Sequence, residues 1–263
     1  MEILKAHVRA CAALASLALV LYAGACGRGE REAQADEITV AAAANLTDAF
    51  GEIDKRFTAR TGVKVTNSFG ATADLAKQIE NGAPFDVFAS ADAEHLEGLA
   101  SKGLLADAPR GVYARGRLVL WMPPGGKASV ARVEDLAGEG VTKIAIAKPD
   151  VAPYGRAAVE SLNALGLWAK VEPKVVYSQT VAQAKQFASS GNADAAFIPR
   201  SLVREGEGTA IELEVRLHAP IDQAVGVVRA SKRQEAARRF VEFLLSEEGR
   251  SVLKSFGYDA PAK

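Results

Sequence analysis

Four stretches of this chain join an apolar run to a helical pattern through residues that are small, or that carry a hydroxyl or amide: Asn45-Leu46-Thr47, Gly70-Ala71-Thr72-Ala73, Pro153-Tyr154-Gly155 and Gln179-Thr180-Val181. The first turn of a helix has N–H groups with no acceptor inside the helix and a partial positive charge of about half a unit. Several such openings aimed at one point hold an anion without lysine or arginine. Each stretch also has an ordinary structural reading. Asn45 is a good helix cap, Gly-Ala-Thr-Ala is a small-residue turn, Pro153 suits the first position of a helix, and Ser178 or Thr180 suits the cap before Val181.

Catalytic and metal chemistry find less support. His7, His95 and His218 are too scattered for a metal cluster or a Ser-His-Asp arrangement. Ser90-Ala91-Asp92 follows a strand pattern and reads more simply as capping, and Pro124-Gly125-Gly126-Lys127 lacks the spacing of a phosphate-binding loop.

The elements that must position the four stretches follow a β-α rhythm, which predicts an α/β protein with parallel strands. Strands are expected at 38–43, 63–68, 85–90, 117–122, 143–147, 175–177, 195–198, 212–217 and 224–228. Helices are expected at 46–61, 75–81, 94–102, 153–165, 180–189 and 234–246, with a further helical pattern over 248–256. Gly82, Gly103 and Gly166 stand where helices stop.

The 263 residues contain 32 Lys+Arg and 32 Asp+Glu, so there is no basic field to hold nucleic acid and any anion must be recognised locally. Lys5 and Arg9 precede an apolar run, residues 10–25, that ends in Ala23-Gly24-Ala25. This is the pattern of an export signal, and the run is shorter than the roughly 20 residues a membrane span needs. Residues 1–25 are therefore expected to be a signal peptide and 26–36 a polar tether. The small-residue run before Cys26 resembles the bacterial lipobox, which implies lipidation of Cys26, although Ala23 stands where that pattern usually has Leu. With Cys11 inside the signal, the mature chain has no pair of thiols for a disulfide.

Three stretches in order, Ala41-Ala42-Ala43-Ala44-Asn45-Leu46-Thr47, Ser68 to Ile79, and Gly82-Ala83-Pro84-Phe85-Asp86-Val87-Phe88-Ala89-Ser90-Ala91-Asp92, resemble the periplasmic molybdate-binding proteins of ABC importers. Pro153 to Ala157, Thr180 to Ala184 and Ala236 to Gly257 fall where that family has its later motifs, so the resemblance spans Glu37 to Tyr258.

The resemblance implies a two-lobed periplasmic solute-binding fold, type II-like, with the ligand in the interlobe cleft. One lobe would be 37–114 plus 220–263 and the other 115–219, with crossings near Arg115 and Ala219. It implies capture of molybdate or tungstate, and delivery to an ABC permease and its ATPase, by a monomeric, non-enzymatic protein of the periplasm or cell surface. Membrane contact would come only through the lipid. No cofactor and no direct cation site are implied; molybdenum would be held as molybdate.

The ligand residues carried over are Asn45, Ala71, Thr72, Tyr154 and Val181, with Tyr154 and Val181 giving backbone N–H groups. The family usually has Ser where Asn45 stands, a hydroxyl residue where Ala71 stands and often Tyr where Pro199 stands. Asn45 would offer its amide, and Arg200 or the Tyr154 hydroxyl are candidates to replace the donor missing at Pro199. A different oxyanion such as sulfate is the alternative ligand. An exported enzyme acting on a small anion is the alternative class, and a ligand-free sensor or adaptor is a third.

Overall fold

The computed structural model describes residues 37–126 and 130–261; the expected signal peptide 1–25, the tether 26–36 and Cys26 lie outside the described residues. The described chain builds the same plan twice. The first sheet has the order β2-β1-β3-β10-β4, from Lys64–Gly70 (β2), Glu37–Ala43 (β1), Val87–Ala89 (β3), Ile221–Val227 (β10) and Gly111–Gly116 (β4). The second has the order β7-β6-β8-β5-β9, from Val175–Ser178 (β7), Ile144–Ala147 (β6), Ala195–Pro199 (β8), Leu118–Met122 (β5) and Thr209–Glu212 (β9). In each sheet a parallel trio comes first, β2-β1-β3 or β7-β6-β8, and two antiparallel strands complete the edge. The inner strands β1, β3, β6 and β8 are near-continuous apolar runs, as expected where helices cover both faces, whereas the outer strands β2 and β7 are only partly buried.

The helices are Thr47–Thr61 (α1), Thr72–Glu80 (α2), Ala93–Ser101 (α3), Pro153–Ala164 (α4), Trp168–Val171 (α5), Val181–Ser189 (α6), Gln234–Leu245 (α7) and Glu247–Ser255 (α8). Their apolar stripes bury against the sheets. In α1, Phe50, Ile53 and Phe57 are fully buried, and Phe57 packs edge-on to Phe240 of α7 with ring centroids 5.1 Å apart. α1 stops at Gly62, whose φ of 73° lets its N–H close on the Thr58 carbonyl without the steric cost a side chain would add.

The chain passes between sheets twice. It leaves β4 at Gly116 and enters β5 at Leu118, then returns to β10 at Ile221. Arg115, just before the first crossing, lies inside β4, where its guanidinium makes a two-point ion pair with Asp222 of β10 (2.6 and 2.9 Å). The strand expected at 212–217 is placed differently: β9 ends at Glu212 and Val215–Leu217 form a 3-10 turn. After Leu213 donates its N–H to the Leu118 carbonyl, pairing stops, so the apolar-polar alternation that follows has no partner strand.

Candidate functional site

At the carboxyl ends of the parallel strands, the loops of the two sheets face each other, the place where open α/β sheets accept ligands. β1 runs into Ala44-Asn45, β2 into Ala71-Thr72, β6 into the loop before Pro153-Tyr154, and β7 into Thr180-Val181. All five carried-over residues, Asn45, Ala71, Thr72, Tyr154 and Val181, line one cleft together with Ala43, Gly70, Ala91, Ala152 and Thr180. Its empty volume is about 220 Å³, part of it open to solvent. All five are at least 95% buried, so a guest touching them is largely stripped of water.

Positions at the helix starts decide what the cleft offers. Val181 is the first residue of α6, Tyr154 the second of α4 and Thr72 the first of α2, so none of their N–H groups has an acceptor within its own helix. The caps of α4 and α2 are Ala152 and Ala71, which have no side chain able to satisfy those donors. α6 differs: the Thr180 hydroxyl oxygen accepts from the Gln183 N–H at 3.1 Å, which leaves the Val181 N–H uncommitted by the cap. Thr72 is the carried-over residue with a hydroxyl in the cleft itself; its Oγ1 accepts from the Ala91 N–H at 3.2 Å, leaving its proton for another partner. Among the described residues, no lysine, arginine, aspartate, glutamate or histidine lines the cleft.

Gly155 sets how close α4 approaches its sheet. A Cβ there would collide with the Ala147 carbonyl at the end of β6, so only glycine lets the start of α4 rest on that strand end.

Asn45 does not act as the helix cap. It sits in a 3-10 turn, Ala44–Leu46, and makes no cap to α1; the cap position is Leu46. Its amide nitrogen is 2.8 Å from Gln223 Oε1 and 2.8 Å from the Tyr258 hydroxyl, both buried partners behind the cleft. The Tyr154 hydroxyl, one candidate for the donor missing at Pro199, does not enter the cleft. Its oxygen accepts from Gln223 Nε2 at 2.7 Å, beside Gly116, where any side chain would collide with the ring. Arg200 is not among the lining residues either; its guanidinium donates to the Val203 carbonyl at 2.9 Å. Neither candidate therefore replaces the hydroxyl missing at Pro199, and apart from the Thr72 hydroxyl the donors described above are backbone N–H groups.

The residues that sequence reasoning missed form this rear network. Gln223 is fully buried in β10; Tyr113 donates to the Ser90 carbonyl or to Gln223 Oε1, both at 3.0 Å, and Tyr258 and Ser201 reach the Asn45 carbonyl at 2.8 and 2.9 Å. Burial raises the tyrosine hydroxyls of 113, 154 and 258 well above their ordinary value, so all three are neutral. The available signal was Gln223 itself, an amide inside the apolar strand Ile221 to Val227, since a buried amide needs partners.

Contacts across the cleft mouth tie the two sides. The Ala73 N–H donates to the Val151 carbonyl at 3.2 Å, Gln179 Nε2 donates to Asp74 Oδ2 at 2.6 Å, and Arg204 pairs with Asp48 at 2.9 Å.

Comparison with known proteins agrees with this architecture. Residues 38–259 match the family described as bacterial extracellular solute-binding protein. The chain is 36% identical over 231 residues to the molybdate-binding protein of Rhodobacter capsulatus, covering 86% of this chain and 89% of that one. It is 38% identical over 234 residues to that of Azotobacter vinelandii, covering 86% and 91%. The solved periplasmic molybdate-binding protein of Azotobacter vinelandii superposes with a TM-score of 0.80 at 31% identity, over 86% of this chain and all of that one. Among the described residues no helix is long and apolar enough to cross a membrane. With two sheets of one plan facing a cleft of helix starts, and a match that runs almost the whole described length, the chain belongs to the bacterial extracellular solute-binding proteins.

Proposed function

We propose that this protein captures a fully deprotonated tetrahedral oxyanion, molybdate or tungstate, outside the cytoplasm and passes it to a membrane permease driven by an ATPase. The observation that carries the reading is the convergence of uncommitted helix-start N–H groups on one buried cleft lined by no charged side chain among the described residues. A dianion offers only acceptors, so it matches a wall of donors. Hydrogen bonds to a charged group are each worth about 1.5–3 kcal/mol, and several are needed to offset dehydrating the ion. The relatives named for molybdate supply the identity of the anion.

The donors assigned to the anion are Asn45, Ala71, Thr72, Tyr154 and Val181, drawn from both sides, so that binding favours closure. The lobes are 37–114 plus 220–263 and 115–219, and the protein acts as a monomer. The leader 1–25 directs export, and Cys26 carries a lipid that holds the protein at the membrane through the tether 26–36.

Calorimetric titration with molybdate, tungstate, sulfate and phosphate tests the reading. Molybdate and tungstate bind tightly. Phosphate does not, because near neutrality it keeps a proton that needs an acceptor, and no carboxylate lines the cleft among the described residues. Absence of heat with all four anions overturns the reading.

A further inference from the structure

Behind the cleft, one side chain touches both sides of it. Gln223 meets Asn45 on the first-sheet side at 2.8 Å and the Tyr154 hydroxyl on the second-sheet side at 2.7 Å. A carboxamide turned by half a rotation exchanges its N and O ends without changing shape, so this chain of hydrogen bonds runs in either of two senses.

In the first sense, Asn45 NH2 donates back to Gln223 and Tyr258, and Gln223 NH2 donates to Tyr154. Among the described residues, the Tyr154 proton then has no acceptor, and Asn45 Oδ1, on a residue that lines the cleft, has no donor.

In the second sense, the Tyr154 hydroxyl donates to Gln223 Oε1. Gln223 NH2 donates to Asn45 Oδ1 and to the Tyr113 oxygen, and the Tyr113 proton goes to the Ser90 carbonyl. Tyr258 donates to Asn45 Oδ1 while Ser201 keeps the Asn45 carbonyl. Each of these pairs stands at the separations of 2.7–3.0 Å already present. Every other proton in the network has an acceptor, and the Asn45 NH2 is released to the cleft, where the anion would accept from it.

We infer that Gln223 is a positioning residue that sets which end of the Asn45 amide faces the anion, and that its bond to the Tyr154 hydroxyl makes the donor-out sense depend on the two sides being closed. The inference rests on the anion-binding reading above. An anion in the cleft selects the second sense, since an amide oxygen facing it would repel it. Opening the cleft removes the Tyr154 proton from Gln223 and frees the chain to run the other way, so the donor is withdrawn as the ligand leaves.

The test is calorimetry of molybdate with wild type, Gln223→Glu, Gln223→Leu and Tyr154→Phe, between about pH 6 and about pH 8.5, in two buffers of different ionisation heat. The titratable groups in contact with Gln223 are Tyr113 and Tyr154, with Tyr258 beyond them on Asn45, all neutral over that range, so the comparison is each variant's pH profile against wild type. In Gln223→Glu, an ionised carboxylate would only accept, turning the Asn45 NH2 inward. The protonated carboxyl would donate to Asn45 Oδ1 and accept from Tyr154, restoring the donor-out sense.

Gln223→Glu is therefore expected to bind with uptake of a proton, its affinity relative to wild type rising by up to about tenfold for each pH unit lowered. Gln223→Leu is expected to be weak at every pH. A Gln223→Glu profile that parallels wild type, or that matches Gln223→Leu, overturns the inference. If Gln223→Glu does not fold, Tyr154→Phe decides, because it removes one oxygen and keeps the backbone donor: about 3- to 10-fold weaker binding with faster release is expected, and unchanged affinity overturns the inference. Wild type that gives no heat with any oxyanion is a separate failure, that of the anion-binding reading itself.

Discussion

The Arg156 guanidinium of α4 lies 3.4 Å from the Asp92 carboxylate on the opposite side of the cleft, and reaches Glu94 as well, at 3.0 Å. Burial disfavours the charge on Asp92, but hydrogen bonds from His95 and the nearby Arg156 outweigh it and hold the carboxyl below its ordinary value. Asp92 is thus ionised near neutrality, and its contact with Arg156 spans the cleft mouth. Arg156→Ala is expected to weaken anion binding by about 2- to 5-fold, mostly through faster release, since a pair whose arginine is exposed contributes up to about 1 kcal/mol. Stopped-flow dissociation rates at low and high salt check this: the difference from wild type shrinks as salt rises.

Val181 permits a backbone donor to be deleted without breaking its helix. It is the first residue of α6, where proline is well tolerated, and Thr180 before it has the extended backbone (φ −134°, ψ 161°) that proline requires. Val181→Pro is expected to keep the fold and lower affinity by about 10- to 100-fold, the loss of one hydrogen bond to a charged guest. Titration calorimetry with circular dichroism as the folding control measures it; undiminished affinity removes the Val181 N–H from the site.

Gly155→Ala acts on the other helix start. The added methyl meets the Ala147 carbonyl, a backbone atom that cannot swing aside, so α4 must back away from β6. Both the melting temperature and the affinity are expected to fall, because Tyr154 beside it carries a donor N–H on the displaced turn. Loss of stability with affinity intact would show that the start of α4 does not touch the ligand.

Asp54 of α1 offers a pH prediction away from the cleft. Asn67 Nδ2 donates to its Oδ2 at 2.5 Å, while Asp54 Oδ1 and Asn67 Oδ1 are buried with no partner among the described residues. Burial pushes the carboxyl from 3.8 up to about 7, against the pull of the amide. The folded state therefore holds this proton more tightly than the unfolded chain. Stability from this group is full below the unfolded value, declines as pH rises toward 7, and stays low above it. Asp54→Asn removes the buried charge and is expected to stabilise by about 1–3 kcal/mol at pH 8 and by nearly nothing at pH 4, read by denaturant unfolding at both.

Much of the architecture was legible because it depends on local pattern. The apolar runs into Ala43, Ala147 and Ser178, each followed by small or capping residues and a helical repeat, mark strand ends that hand over to helices. β4 was not legible: Gly111-Val-Tyr-Ala-Arg-Gly116 has glycine at both ends and no apolar run, and it is a strand because β10 offers it an edge. The alternation of Glu212 to Leu217 misled for the converse reason, having the pattern of a strand with no neighbour to pair with.

The sequence by itself determined which backbone segments would present donors, since a helix start needs only its own residues to leave N–H groups unsatisfied. It also determined the absence of a charged field, which is a matter of counting. Only the tertiary structure decided where the side chains of Asn45 and Tyr154 would point. Their partners, Gln223 and Tyr258, lie as many as 213 residues away from Asn45, and a buried amide takes its orientation from whichever donors and acceptors the fold brings within about 3 Å. Backbone polarity is local, whereas the direction of a buried polar side chain belongs to the packing around it.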